Sequence, residues 1–371
     1  MKLSPNDRRK LLPMLDKLAE SVEELLLSGL TTASEATRQA LGVSFQEASR
    51  LGLLRLGSTL RAANEELGRF TRDETEFSRK RLSFFLNRAW LLSHGLSRAL
   101  RENAESEFDR LLWTPASNPI ERLEVVTLGV VKRVSARTFC AFEFRLRTVS
   151  LAGDMPEGHR LIWSCVFPLK ACNEIPAEGF LHLPQKQKFD AALFLEGKSI
   201  VIERAAVALD GFGGGRVSLG DASTVTAGEP FTDWQRFQSW DAGAALERIR
   251  EHKPGPLDLE VEMQEEVVLD DWQIGQPAQR AEQQQVVFPI VHGNTTFDAV
   301  VAQGPEGKAL HTALQALRTK KARPPLFGLL HYEMCRLVLQ PLATLGKNGP
   351  EQLMLSAEKI DRAALVKALK F

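Results

Sequence analysis

"TFCAFEFRLRT", residues 138–148, alternates between two kinds of residue. Cys140, Phe142, Phe144 and Leu146 fall on one side of an extended chain, and Ala141, Glu143, Arg145 and Arg147 on the other. Successive side chains of a strand point to opposite faces. The pattern therefore predicts an antiparallel strand with an apolar face on a core and a polar face toward water. "RLIWSCVFPL" (160–169), "DAALFLEG" (190–197) and "KSIVIERAAVAL" (198–209) continue the series. With turn signals at short intervals they predict an antiparallel barrel or sandwich of roughly six to eight strands, for which an OB-type barrel is one form.

Upstream the period changes to that of helices. Residues 1–113 read as a helical bundle. Ser4-Pro5 suits an N-cap with proline in the first helical position, and Gly29 suits the end of that helix. Ser44-Phe45-Gln46-Glu47 has the form of a capping box, expected to start a helix that buries Ala48, Leu51, Leu54 and Leu60. Thr71-Arg72-Asp73-Glu74 repeats the device before the longest helix, with Phe77, Phe84, Phe85, Ala89, Leu92, Leu96 and Leu100 at helical spacing. "TPASNPIE", 114–121, reads as a linker because Pro115 and Pro119 interrupt the pattern.

Downstream, the β region is expected over 122–250 and ends in a short helix. Residues 251–285 hold nine Asp/Glu against two Lys/Arg, and read as an acidic connecting segment. Residues 286–371 hold eleven Lys/Arg against six Asp/Glu and read as a small α+β domain. There, "VVFPIVHGNTTFDAVV" forms a hairpin, an amphipathic helix follows from about Gly307 to Lys321, and "PLFGLLHYEMCRLVLQPLATL" supplies two more strands. No internal repeat is visible. The expected fold class is multidomain α+β: an N-terminal all-α helical bundle, a central antiparallel β barrel or sandwich and a C-terminal small α+β domain.

The chain has 371 residues, 44% hydrophobic and 25% charged, the balance of a globular protein of two or three domains. Forty-seven Lys/Arg offset 47 Asp/Glu, so the global positive excess of a dedicated nucleic-acid binder is absent, while a local patch stays open. Cys140, Cys165, Cys172 and Cys335 form no CxxC pair, which argues against a zinc finger or a disulfide framework and for reduced thiols in the cytoplasm. No signal-peptide stretch and no run of about 20 apolar residues occurs, so no membrane partner is expected. Twenty phenylalanines accompany a single tyrosine, Tyr332, which favours an aromatic interior over a stacking surface.

Several stretches invite a chemical reading. "VALDGFGGGRVSLG", 207–220, resembles a phosphate loop, but strand-like sequence follows it where a helix is required, so it reads as a hairpin tip. "EGKS", 196–199, imitates the end of a P-loop, but Ala192 stands where the first glycine belongs. Arg88 and His94 are separated by five residues in a long helix. That spacing resembles the R-x(4–6)-H pattern of HEPN ribonucleases, and the resemblance implies RNA cleavage by those two residues at a dimer interface.

Asp258, Glu260 and Glu262 share a strand face and are candidate ligands for a hard cation, or else a solvated edge. Lys132, Arg133, Arg137, Arg145 and Arg147 cluster in the first hairpin with phenylalanines interleaved, as in an OB-type barrel that binds single strands. Lys320, Lys321 and Arg323 end the amphipathic helix and are candidate partner-docking cations.

No catalytic constellation and no cofactor motif is found. The reading is therefore a non-catalytic interaction protein of the cytoplasm, an adaptor or structural subunit of a larger assembly with other proteins as partners. The alternatives are a nucleic-acid-binding protein using the central β domain, and a HEPN-like ribonuclease.

Overall fold

The computed structural model describes residues 5–30, 35–72, 77–112, 117–135, 139–168, 176–209, 214–237, 240–251, 264–280, 285–302, 305–333, 336–347 and 349–355. It is a mixed α+β multidomain protein, dividing into a helical unit over 1–115 and a β-rich unit over most of the remainder.

The helical unit contains α1 (Pro5–Ser28), α2 (Glu35–Arg50), α3 (Leu54–Thr71), α4 (Arg79–Arg101) and α5 (Glu105–Leu112). α1 buries Leu11, Leu15, Leu18, Val22 and Leu25, a stripe at helical spacing, against Leu82, Leu86, Ala89, Leu92 and Leu96 of α4 and the rest of one core. Ser44 does not act as an N-cap, Thr71 ends α3, and Asp73 and Glu74 of the second box lie outside the described residues. Ser44 lies inside α2, because the apolar stripe Leu41, Phe45, Ala48 runs through it. The helix breaks later, at Gly52, whose φ of +69° suits glycine. Leu54 consequently leaves the core and is exposed. The start of α4 is set by Ser78, whose Oγ accepts from the Arg81 amide at 3.3 Å. The buried carboxylate of Glu66 holds the same turn, accepting from the Ser78 amide at 3.1 Å and pairing with Arg81 at 2.8 Å and with Arg69.

In the β-rich unit, β1 (Ser117–Ser135), β2 (Phe139–Thr148), β3 (Arg160–Pro168), β4 (Lys198–Leu209) and β5 (Gly214–Pro230) close a barrel in the order β1-β2-β3-β5-β4. β1 thus begins inside the stretch read as a linker. It is long enough to pair with β4 through its first half and with β2 through its second. β3 and β5 run parallel and every other pair is antiparallel. "AALFL", expected as strand, is a 3-10 helix over Ala191–Leu195. Five apolar residues are too few for periodicity to separate strand from helix, and Ala191 and Phe194, three apart, are the pair that faces the core.

The barrel interior is filled by Phe142, Phe144, Leu146, Trp163, Phe180 and Phe194 among others. Trp163 stacks on Phe194 at 4.5 Å and on Phe144 at 5.1 Å between ring centroids. The aromatic excess therefore goes into a core, as its Phe-rich composition suggests.

After a short helix, α6 (Ala242–Glu251), the chain enters a second sheet. Its strands are β6 (Glu265–Leu269), β7 (Trp272–Ile274), β8 (Ala278–Arg280), β9 (Gln285–His292), β10 (Thr295–Ala302), β11 (Leu326–Glu333), β12 (Arg336–Gly346) and β13 (Gly349–Gln352), with α7 (Pro305–Thr319) between β10 and β11. The path is β6-β11-β12-β10-β9-β7. β6 to β8 lie within the segment read as an acidic connection.

The two ends of that path, β6 and β7, are consecutive in the chain, split by a bend at Asp270-Asp271. His292 Nε2 stands 3.2 Å from Asp270 Oδ1 and fixes the corner. This hydrogen bond, aided by the Asp271 amide, holds the Asp270 carboxyl below the usual carboxylate range. β6 and β7 together do what β1 does alone: the first half pairs with β11, the second with β9. β10 and β12 are parallel, as are β3 and β5, and β11 and β12 are antiparallel, as are β4 and β5. The second sheet thus repeats the connectivity of the first barrel, with α7 in the place of the 3-10 turns.

The two β layers share an apolar seam. Val126, Leu128 and Val131 on the outer face of β1 meet Val268, Phe327, Leu329 and Leu342. Gly129 allows this approach: a Cβ there would lie 2.7 Å from the Phe327 ring and 2.9 Å from Leu342 Cβ.

Candidate functional site

The inward side of β2 is the apolar one. The outward side is Ala141, Glu143, Arg145 and Arg147, and it is not in water: Arg145 and Arg147 are only 5% and 6% exposed. β6 covers them. Glu266, itself buried, lies 3.6 Å from Arg145 and pairs with Arg147. Arg145 also donates to Glu143 at 3.1 Å and to Gln264 at 3.3 Å, and its Nε has no hydrogen-bond partner among the described residues. Arg147 lies over the Phe327 ring, 5.9 Å from its centroid.

The strand register brings further guanidiniums beside these. Arg145 is opposite Ile162 of β3, which is in turn opposite Arg216 of β5. Arg147 is opposite Arg160. At the usual spacing of about 4.8 Å between strands, the Arg145 and Arg216 backbones are about 10 Å apart. Arg160 pairs with Glu265 at 2.9 Å, and Arg133 at the end of β1 pairs with Glu143 at 3.2 Å.

Burial pushes the Arg145 guanidinium down from its usual pKa. Glu266 and Glu143 oppose that shift, and Arg216 and Arg133 add to it. The face therefore gathers five guanidiniums, Arg133, Arg145, Arg147, Arg160 and Arg216, around three carboxylates, Glu143, Glu265 and Glu266. Arg133 is 56% exposed, Arg160 is 35% exposed and Arg216 is exposed, so the outer members reach solvent above a buried layer.

Of the basic residues the sequence singles out, Arg133, Arg145 and Arg147 belong to this face. Lys132 does not: it turns to Glu178, 2.8 Å away at the end of the barrel. Arg137 lies outside the described residues. Arg160 and Arg216 were not singled out. Arg216 follows the glycines of "GFGGGR", and Arg160 opens "RLIWSCVFPL" opposite a residue already chosen, so pairing the strands in register would have found both.

The other candidates are dispersed. Arg88 is buried in α4, whereas His94 is exposed and packs on Trp90 at 4.3 Å between ring centroids. Six residues turn a helix through about 600°, which leaves the two side chains about 120° apart around the axis. Asp258, Glu260 and Glu262 lie outside the described residues. Lys320 and Lys321 are exposed. Arg323 caps α7, donating to the carbonyls of Leu317 at 3.0 Å and Arg318 at 3.3 Å, and lies 5.8 Å from the Trp272 ring centroid. Gly197 holds a φ of +70° just before β4, and Lys198 pairs with Glu196 at 2.9 Å, so "EGKS" is a turn. β4 and β5 pair on both sides of 210–213, as far as Leu209 opposite Gly215.

No protein-family model matches the chain, and no curated protein matches it. Among solved structures, one similar to the chain is the Ifi202 HINa domain in complex with a 20-base-pair double-stranded DNA. The two are 11% identical with a TM-score of 0.30, over 65% of this chain and 100% of that one. Another is a murine DNA-binding protein bound with double-stranded DNA, 9% identical with a TM-score of 0.27, over 61% of this chain and 93% of that one. A third, described as structural mimicry for functional antagonism, is 12% identical with a TM-score of 0.29, over 64% and 94%. Among the described residues, no helix is long and apolar enough to cross a membrane.

Proposed function

We propose that the protein binds nucleic acid through its phosphates, on the outer face of β2, β3 and β5. The observation that carries this reading is the cross-strand register in which Arg145 and Arg216 stand on either side of Ile162, with Arg133 and Arg160 nearby. Five positive charges against three negative leave a local excess on a chain whose net charge is zero. In a five-stranded barrel of this connectivity, the face built on the second and third strands is the one used for oligonucleotides. Arg145, Arg147 and Glu266 supply the buried base of the site. Arg133, Arg160 and Arg216 are the groups that meet phosphate, in the bidentate geometry that guanidinium favours.

The test is fluorescence anisotropy of labelled oligonucleotides against salt. The wild-type log K should fall linearly with log salt. Changing the exposed pair Arg133→Gln and Arg216→Gln should weaken binding and lower that slope by about 1.4 for a single strand, two phosphates at about 0.7 each. Binding that ignores salt, or a double variant with an unchanged slope, would remove this face from the reading.

A further inference from the structure

The register that builds the cationic face sets two arginines directly against each other. Arg147 of β2 is opposite Arg160 of β3, on the same face of neighbouring strands. Like charges in that position repel. Each is answered by a carboxylate from the start of β6: Glu266 takes Arg147, and Glu265, the first residue of the strand, takes Arg160 at 2.9 Å. The two pairs differ in depth. Arg147 and Glu266 are both buried, whereas the side chains of Arg160 and Glu265 are 35% and 13% exposed. On its other side Arg160 is opposite Gly214 of β5, which puts no side chain beside it. Arg160 is thus flanked in register by a cation and a glycine, and its salt bridge to Glu265 lies within reach of solvent.

We propose that Glu265 is a built-in competitor for phosphate at Arg160: it occupies the guanidinium in the free protein and gives it up when a nucleic-acid backbone arrives. The proposal rests on the phosphate-binding role of this face and adds the residue that sets its affinity. Glu266 is unsuited to that part. It is buried between Arg145 and Arg147, where a guanidinium left without its carboxylate is costly. Glu265 is suited to it, because an ion pair open to water contributes little on its own and is easily exchanged. A phosphate at Arg160 answers the same repulsion from Arg147 that Glu265 answers, so the exchange leaves no cation bare. Trading one anion for another gains little by itself. A polyanion supplies the surplus through the counterions it releases, which a lone small anion does not carry. The carboxylate therefore lowers affinity for every phosphate ligand and reserves Arg160 for a polyanion.

The experiment uses the full chain as wild type, Glu265→Gln, Arg160→Gln and the double variant, with Glu265→Ala as a second way of removing the carboxylate. Melting curves establish that each is folded. Binding of a labelled oligonucleotide of about 30 nucleotides, long enough to cover a barrel site, is followed by anisotropy across salt. It is supplied as a single strand and as a duplex, and results are read on whichever binds more tightly.

At one fixed salt concentration, Glu265→Gln and Glu265→Ala should each tighten binding about 2- to 5-fold, the worth of a partly exposed ion pair. Each should steepen the salt slope by about 0.7 on a single strand or about 0.9 on a duplex, because one more cation is available to phosphate. Arg160→Gln should weaken binding, and in that background Glu265→Gln should bring no further gain, since no guanidinium is left to release. Equal gains with and without Arg160 would make Glu265 a remote charge and overturn the proposal. Glu265 variants that fail to fold, or that bind no more tightly than the wild type, would overturn it as well. In each of these cases the role of the face stands as long as wild-type binding falls with salt. If the wild type does not bind, or binds without regard to salt, both fall.

Discussion

Glu266 is the group whose removal has the most readable consequence. It is a buried carboxylate that faces two buried guanidiniums, Arg145 at 3.6 Å and Arg147 closer still. Changing Glu266→Gln keeps the shape and removes the charge. Arg145 retains Glu143 at 3.1 Å, but Glu266 is the carboxylate paired with Arg147. Breaking a buried pair from one side costs about 3–5 kcal/mol, because the remaining charge is left without a partner in a medium that solvates it poorly. For a cooperative unit of 150–250 residues each kcal/mol moves the melting temperature by about 2–4 °C, so a drop of about 6–20 °C is expected.

The assay is chemical denaturation followed by tryptophan fluorescence, where Trp163 in the first barrel core reports on this unit. Changing all three residues together, Arg145→Met, Arg147→Met and Glu266→Met, should recover most of the loss, since a well-packed apolar replacement of a buried ion cluster is often neutral or better. A Glu266→Gln protein within 1 kcal/mol of wild type would refute the reasoning. So would a triple variant no better than the single one, because the loss would then come from packing and not from an unpaired charge.

Further outcomes follow from two other sites. Burial raises the Cys140 thiol to about 11 and the Cys165 thiol to about 12, from 9.0. Both should resist alkylation at pH 8 in the native protein and react on unfolding, as read by mass spectrometry. The folded chain keeps these protons while the unfolded chain releases them, so the contribution of the two thiols to stability should be level below pH 9 and decline from there toward pH 11–12. At the end of α7, Arg323→Glu should destabilise by roughly 1–3 kcal/mol, through the loss of two bonds to helix carbonyls and a ring contact. Lys320→Glu with Lys321→Glu should leave the melting temperature within about 1 °C, since exposed charges contribute little.

The fold class was legible because it depends on periodicity. Helical stripes such as Leu11, Leu15, Leu18 and Val22, and the alternation of Cys140 with Phe142 and Phe144, report which face is buried whatever covers it. Boundaries were less legible because capping residues are permissive. Ser44 has the right neighbours for a cap, but the apolar stripe from Leu41 to Ala48 runs on through it, and burial outweighs the ~1 kcal/mol of a cap. The duplication was invisible because it is one of connectivity alone. β1 is one strand and its counterpart is split at Asp270-Asp271, so no residue pattern recurs at a fixed interval.

The candidate site was half legible, for a reason that lies in what alternation can report. A polar face reads the same in sequence whether water or a layer of carboxylates covers it. Arg145 and Arg147 pass for solvated residues until Glu265 and Glu266, more than a hundred positions later, are brought against them by β6. The acidic character of 251–285 then acquires a local use, because two of its carboxylates neutralise part of a cationic face on the preceding barrel. That neutralisation is incomplete, and its incompleteness is graded with depth. Arg147 is fully engaged at the bottom, Arg160 shares Glu265 at 35% exposure, and Arg216 stands exposed at the top. A cluster serving stability alone would gain little from a fifth guanidinium at its wet edge, where an ion pair is worth about 0–1 kcal/mol. The same edge charge is of most use to a polyanion arriving from solvent, which meets the least compensated guanidinium first and finds those beneath it already held in place.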